Sequence, residues 1–285
     1  MPELPEVETT ARGLRERIIG RQIVEVGALD WPRMAPNATL PMLAEATVGR
    51  TIESVTRRGK YVVVGLTGET YLVLHRKMSG NLILRTVDLG LEPHTHLTVT
   101  LDDGWRIDFV DPRKFGRIYL FLGRDVLDEF LDGRLGPEPL EIELREFDLL
   151  LEKRRGRLKS LLLDQGFLAG IGNLYADEIL WDAQLHPQRS AESLTAAERS
   201  RLHASIQQVL EAAIERRGTS LSDYVDATGE QGTNQEHLQV YGRQGMPCSR
   251  DGCQEMISRT VVGQRGTWFC ASCQPAATQS ESAQA

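Results

Sequence analysis

Met1-Pro2-Glu3-Leu4-Pro5-Glu6-Val7-Glu8 opens the chain and begins a helical pattern. Val7, Leu14, Ile18 and Ile19 recur at roughly helical spacing, Arg and Glu fill the gaps, and Gly20 stops the run. Residues 5–19 therefore read as a helix. Pro2 is a small penultimate residue, so removal of Met1 is expected, leaving a secondary amine at the terminus. Its pKa near ~8 leaves an unprotonated fraction at neutral pH. When such an amine attacks an aldehyde carbon it has no second N–H to lose, and the adduct is a cationic iminium, an electron sink for elimination. Glu3 stands next to it for proton transfer. Taken alone, the same residues also fit an ordinary polar terminus.

Beyond the helix the pattern changes to short β-rich runs: Gln22–Val26, Thr51–Arg57, Tyr61–Leu66, Thr70–Leu74, Asn81–Arg85, His96–Leu101, Trp105–Val110 and Arg117–Phe121. Gly and Asp punctuate them, as in Asp102-Asp103-Gly104. Eight strands at this spacing predict a β-sandwich or barrel. Residues 125–217 then read as helical, with segments at 126–131, 144–153, 158–165, 174–184 and 196–217. Breaks fall at Pro137, Gly156, the run 166–173 and His186-Pro187. The polar stretch 218–240 is too long for a passive connector. The polar tail after Pro275 reads as disordered.

At 285 residues, length predicts about two domains. The 41% hydrophobic content supplies a core of ordinary size. Neither a membrane span nor a signal peptide is apparent, which points to a cytoplasmic protein. A net charge of −7 argues at first sight against a nucleic-acid partner. However, nine acids against two arginines between Asp125 and Asp148 account for all of it. Elsewhere bases cluster at Arg57-Arg58-Gly59-Lys60, at Arg113-Lys114 with Arg117, and at Lys153-Arg154-Arg155 with Arg157 and Lys159. Local patches, not net charge, govern phosphate binding.

All four cysteines lie near the C-terminus. Four residues separate Cys248 from Cys253, sixteen separate Cys253 from Cys270, and two separate Cys270 from Cys273. Two short-spaced pairs around a hairpin-length insert suit one tetrahedral Zn²⁺. Two disulfides or free thiols are the other readings. Four thiolates leave no open position, so one Zn²⁺ per chain would be structural, holding the turn Val262–Gly266 and with it Arg265.

Six motifs occur in order: Pro2-Glu3-Leu4-Pro5-Glu6-Val7-Glu8, Arg58-Gly59-Lys60-Tyr61, Asp111-Pro112-Arg113-Lys114-Phe115-Gly116, the run Gly170–Glu178, Val240-Tyr241-Gly242-Arg243, and Gly263-Gln264-Arg265-Gly266 with the cysteines. Together they closely resemble the bacterial formamidopyrimidine-DNA glycosylases of the Fpg/Nei family, from residue 2 to about 274. The resemblance implies an α+β architecture. Residues 2–123 would be a catalytic β-sandwich domain with an N-terminal helix, and 124–138 a linker. Residues 139–239 would be a helix–two-turns–helix domain, with 218–240 as a loop capping the lesion. Residues 240–274 would be a β-hairpin zinc finger, and 275–285 a disordered tail. It further implies a monomer acting on duplex DNA that carries oxidised bases or abasic sites. Such an enzyme excises oxidised purines and then cuts the strand by β- and δ-elimination.

Carried over residue by residue, Pro2 is the nucleophile and Glu3 the acid/base beside it. Lys60 serves acid/base work and phosphate contact, and Arg265 grips phosphate for δ-elimination. Met78, Arg113 and Phe115 fill the gap left by the everted base. His96, Lys114, Arg155, Lys159 and Asn173 contact the DNA backbone, Asn173 at a Gly-x-Gly turn opening a helix. Lys114 and Arg155 stand where Arg and Lys are commoner. The turn His75-Arg76-Lys77-Met78-Ser79-Gly80 keeps the methionine of the usual His-Leu-Arg-Met-x-Gly but is more basic. His75, His186 and His203 read as structural, and Asp108, Asp111, Asp177 and Glu178 as partners of nearby bases. An endonuclease VIII-like enzyme for oxidised pyrimidines is the nearest alternative. Such relatives usually begin Pro-Glu-Gly-Pro, whereas Leu4 and the long 218–240 stretch favour purines. A non-catalytic damage binder would be expected to have lost Pro2, Glu3 or Lys60.

Overall fold

The computed structural model describes residues 2–28 and 30–276. The expectations about Met1 and about most of the tail, residues 277–285, lie outside the described residues. The chain divides into two compact units, residues 1–134 with 213–235, and residues 135–212 with 236–285.

In the first unit, helix α1 (Leu4–Ile18) starts where its caps dictate. Pro5 lies in the first turn, where a missing N–H costs nothing. Glu6 reaches back so that its Oε2 accepts the Glu3 N–H at 2.8 Å. The stripe Val7, Ala11, Leu14 and Ile18 is buried. Strand β1 (Ile23–Gly27) and helix α2 (Leu40–Thr47) follow. Next come β2 (Ile52–Arg58), β3 (Tyr61–Leu66), β4 (Thr70–His75), β5 (Asn81–Thr86), β6 (Thr95–Leu101), β7 (Trp105–Val110) and β8 (Arg117–Leu122), then α3 (Arg124–Asp132). The eight strands form two antiparallel four-stranded sheets, ordered β1-β6-β7-β5 and β2-β3-β4-β8. Leu97, Phe109 and Ile107 from one sheet meet Val62, Val64, Leu72 and Leu74 from the other in one core, which the α1 stripe joins. The architecture is the expected sandwich. Helix α2 falls where only β-rich runs were expected, and Pro41 does not prevent it. This proline sits in the first turn, where Thr39 caps the Met42 N–H.

The second unit contains α4 (Leu144–Glu152), α5 (Leu158–Leu162) and α6 (Asn173–Asp182). Helix α7 (Ala196–Glu215) carries the chain back to the first unit. The hairpin β9 (Ile257–Val262) and β10 (Arg265–Cys270) closes the second unit. Residues 213–235, read from sequence as part of the helical domain, belong to the sandwich unit. They add a bond to β5 (Leu84 N–H to Ala227 O, 2.8 Å) and pack Ala227 against α1. A Cβ at Gly13 would lie 2.9 Å from the Ala227 Cβ, so the helix accepts this close approach only with glycine there.

Candidate active site

Pro2 and Glu3 are buried at the head of α1. The carboxylate of Glu6 holds this end in place. Besides the Glu3 N–H, it accepts the N–H of Thr219 at 2.8 Å through Oε1. Two residues on, Glu8 accepts from Arg57 Nε at 3.1 Å and from Arg12 Nε at 2.9 Å. Burial pushes the Glu8 carboxyl up, but the two guanidiniums prevail and hold it below the usual range. The Arg57 bond ties α1 to the end of β2. The Gly59-Lys60 turn follows, with Gly59 at φ +54° and Lys60 only 8% exposed.

His75 pairs with Tyr61 across β3 and β4, its ring edge-on to the tyrosine at 4.6 Å. Its Nδ1 accepts the Lys77 N–H at 3.0 Å. Burial, then the charges of Lys77, Lys60 and Arg117, push this imidazole down to about 3. His75 is thus a neutral spacer within a group of cations suited to an anionic ligand.

Met78, Arg113 and Phe115 project from two turns, all three exposed, with the Arg113 guanidinium 4.8 Å from the centre of the Phe115 ring. Buried Asp111 fixes both turns. It accepts from Ser79 Oγ at 2.5 Å in one, and from the N–H groups of Gly116 at 2.6 Å and Arg113 at 3.3 Å in the other. The Phe109 ring backs Gly80 and Gly116 so closely that a Cβ at either would fall within 2.6 Å of it. Asp111 therefore serves hydroxyl and backbone donors, not the basic partner expected from sequence.

Two expected DNA contacts are placed differently. His96 is 3% exposed, with Nδ1 2.7 Å from Asp30 and Nε2 3.1 Å from the Asp111 carbonyl. Lys159 is fully buried. Its Nζ lies 2.7 Å from Asp177 Oδ1 and donates to the Gly266 carbonyl and to Thr267 Oγ1, each at 2.8 Å. Both side chains are committed to partners inside the protein. Lys114, Arg155 and Arg265 stand at or partly at the surface. Asn173 opens α6 behind Gly172, and its Nδ2 donates to the Gly266 carbonyl at 3.1 Å.

These bonds converge on the hairpin. Asp177 Oδ2 also accepts the Trp268 N–H at 3.1 Å. Gly263 (φ +54°) and Gln264 (φ +62°) form a two-residue turn with both dihedrals positive, the geometry that matches strand twist. Arg265 follows it, exposed. Behind the hairpin, the Sγ atoms of Cys248, Cys253, Cys270 and Cys273 lie within 4.8 Å of one another. A tetrahedron with metal–sulfur bonds of about 2.3 Å needs sulfurs roughly 3.8 Å apart. The 3.9 Å Cys248–Cys273 and 3.6 Å Cys253–Cys270 separations fit it. Glu178 anchors the entry to this module by accepting the N–H groups of Gln239, Val240 and Tyr241 at 2.8, 2.9 and 2.8 Å.

The N-terminal domain model of formamidopyrimidine-DNA glycosylase matches residues 1–118, and the H2TH domain model of the same enzyme matches residues 135–225. This chain belongs to the formamidopyrimidine-DNA glycosylase family. A relative from Herpetosiphon aurantiacus is 45% identical over 276 residues, covering 96% of this chain and all of that one. One from Chloroflexus aurantiacus is 45% identical over 286 residues, covering 99% and 100%. Among solved structures, a Lactococcus lactis Fpg variant in complex with Fapy-dG-containing DNA is similar at TM-score 0.88 and 38% identity, over 96% of this chain and all of that one. The Lactococcus lactis Fpg complex with abasic-site DNA gives the same score and identity over 96% and 99%. The family's members are DNA glycosylases with a helix–two-turns–helix domain, and no helix among the described residues is long and apolar enough to cross a membrane.

Glu6 and Asp111 are the members of the site whose roles sequence reasoning missed. The Glu3-x-x-Glu6 spacing is a capping-box signal that would have pointed to Glu6. Asp111 was read as the partner of a base because its Ser79 donor comes from a separate turn.

Proposed function

We propose that the protein excises oxidised purines, 8-oxoguanine and formamidopyrimidines, from duplex DNA and then cuts the abasic strand. The observation that carries this reading is the Glu6 carboxylate, which holds the Pro2-Glu3 end of α1 and the 218–235 segment together. That bridge supports a reading in which a terminal nucleophile works beside a loop able to cover an everted base.

The target base must leave the stack before an amine reaches its sugar. Met78, Arg113 and Phe115 enter the gap, and the guanidinium faces the orphaned partner base. The Pro2 nitrogen bonds to C1′ as the bond from C1′ to the base breaks, and the base departs with a proton. Glu3 moves the proton that lets the sugar ring open to the iminium. Loss of a C2′ proton then expels the 3′ phosphate, and a second elimination expels the 5′ phosphate. Hydrolysis of the remaining iminium frees Pro2. Lys60 holds phosphate and exchanges protons in the first elimination, and Arg265 holds phosphate in the second. Lys114, Arg155 and the N–H groups at the start of α6 supply further phosphate contacts.

The four cysteines hold one Zn²⁺, which fixes the fold of the hairpin and supplies no chemistry to the reaction. Borohydride added to protein and an abasic-site duplex is expected to give a covalent complex that Pro2→Gly does not give. Equal trapping and cutting by Pro2→Gly would refute the terminal-amine mechanism. A panel of lesions, each opposite all four bases, separates the purine reading from the pyrimidine one.

A further inference from the structure

Arg76 is 1% exposed and is among the largest fully buried side chains of the sandwich unit. A guanidinium carries five donors in a rigid plane and is rarely buried unless they are used. Here they reach three separate pieces of chain. Nε donates to the Gly80 carbonyl at 2.7 Å, closing the turn that carries Met78, which the Gly80 N–H closes from the other side on the Arg76 carbonyl at 3.0 Å. One terminal nitrogen donates to Thr10 Oγ1 on α1 at 2.6 Å. The other donates to the Val225 carbonyl at 3.1 Å and to Asn81 Oδ1. The guanidinium also lies 4.9 Å from the centre of the Tyr224 ring, inside the range for cation–π attraction.

The loop is built to receive this group. Asn81 Nδ2 donates to the Asp223 carbonyl at 2.7 Å. Farther along, Asp226 pairs with Arg217 and accepts from the N–H groups of Thr228 at 2.8 Å and Glu230 at 3.1 Å, so the loop holds its own shape. Arg76 connects that shape to the helix bearing Pro2 and to the turn bearing Met78.

We propose that Arg76 is a positioning residue that clamps the 218–235 loop shut against α1 and the Met78 turn, and so governs excision of a damaged base without touching DNA. The role rests on the excision reading above. An abasic site has no base for the loop to cover, so cutting a preformed abasic site does not need the clamp. The two activities should therefore separate.

The test is Arg76→Leu, with Thr10→Val as a near-isosteric second variant that removes one acceptor of the clamp. Amide hydrogen exchange over residues 219–227 of the free protein is read beside single-turnover rates on an 8-oxoguanine duplex and on an abasic duplex. Exchange is expected to rise about tenfold in Arg76→Leu, as local opening becomes easier. Excision should slow by about tenfold or more, and abasic cutting by clearly less, its remaining loss coming from the Met78 turn that Arg76 also closes. Thr10→Val should shift the same amides by less. Unchanged exchange in both variants overturns the clamp, as does an equal fall in both activities. If Arg76→Leu does not fold, Thr10→Val alone decides, by the same exchange readout. If the wild-type protein excises no purine lesion, the excision reading fails, and the exchange result still judges the clamp.

Discussion

The Glu6 carboxylate accepts the N–H of Thr219, 213 residues away in sequence, at 2.8 Å. Its other oxygen accepts the N–H of Glu3 at the same distance. Two N–H donors thus converge on one buried carboxylate. Glu6→Gln offers a single acceptor oxygen and turns an NH₂ group toward one of them. Leaving one buried donor unpaired costs about 1–3 kcal/mol. Denaturant melts should show that loss, and the excision rate should fall by about tenfold or more through misplacement of the terminus. Unchanged melting and rate would mean the bridge holds neither segment.

His75 gives acid stability a definite sign. Its imidazole is pushed down to about 3 in the folded protein, chiefly by burial and then by Lys77, Lys60 and Arg117, against an ordinary value of 6.5. Between those values the unfolded chain binds a proton that the folded one refuses. Stability from this group is therefore whole above about pH 6.5 and lost as pH falls toward 3, by up to ~1.4 kcal/mol per pH unit. Urea melts at a series of pH values should show a shallower acid slope for His75→Gln than for wild type. Parallel slopes would refute the assignment.

All eight strands were legible because β-branched and aromatic runs alternate with Gly and Asp turns. The cysteine spacing likewise announced a metal-sized cluster. Other features depend on what distant segments bring. Lys159 belongs in sequence to a basic run, Lys153 to Lys159, that reads as solvent-facing. Its helical phase places it with Leu158, Leu161 and Leu162 on the buried side of α5, and only folding brings Asp177 opposite. His96 lies on a strand buried for most of its length, so alternation gave no sign of its direction. Arg76 drew notice only as a basic departure in the His75–Gly80 turn, because its partners on α1 and in the 218–235 loop are remote.

The cysteine cluster predicts a separable failure. Cys270→Ser, or treatment with a zinc chelator, should loosen the β9–β10 hairpin and weaken DNA binding. The sandwich has its own core and should keep its melting transition. Affinity for an abasic-site analogue and amide exchange over 257–270 measure the first effect, and exchange over the β2–β4 strands the second. Unchanged affinity after chelation would rule out a role for the hairpin in binding DNA.

Lys159 tests whether a lysine in a basic run serves phosphate or fold. Burial pushes the Asp177 carboxyl up, and the Lys159 ammonium with the Trp268 N–H opposes it. Lys159→Met removes one member of a fully buried pair and strands the other, which typically costs about 3–5 kcal/mol. Lys159→Met with Asp177→Leu removes both charges and should recover much of that loss. A residue gripping phosphate would behave otherwise: its removal lowers the slope of log affinity against log salt by about one. The buried position predicts an unchanged salt slope in the double variant, together with a smaller stability loss than in the single one. A reduced slope with unaltered stability would return Lys159 to the DNA-facing surface.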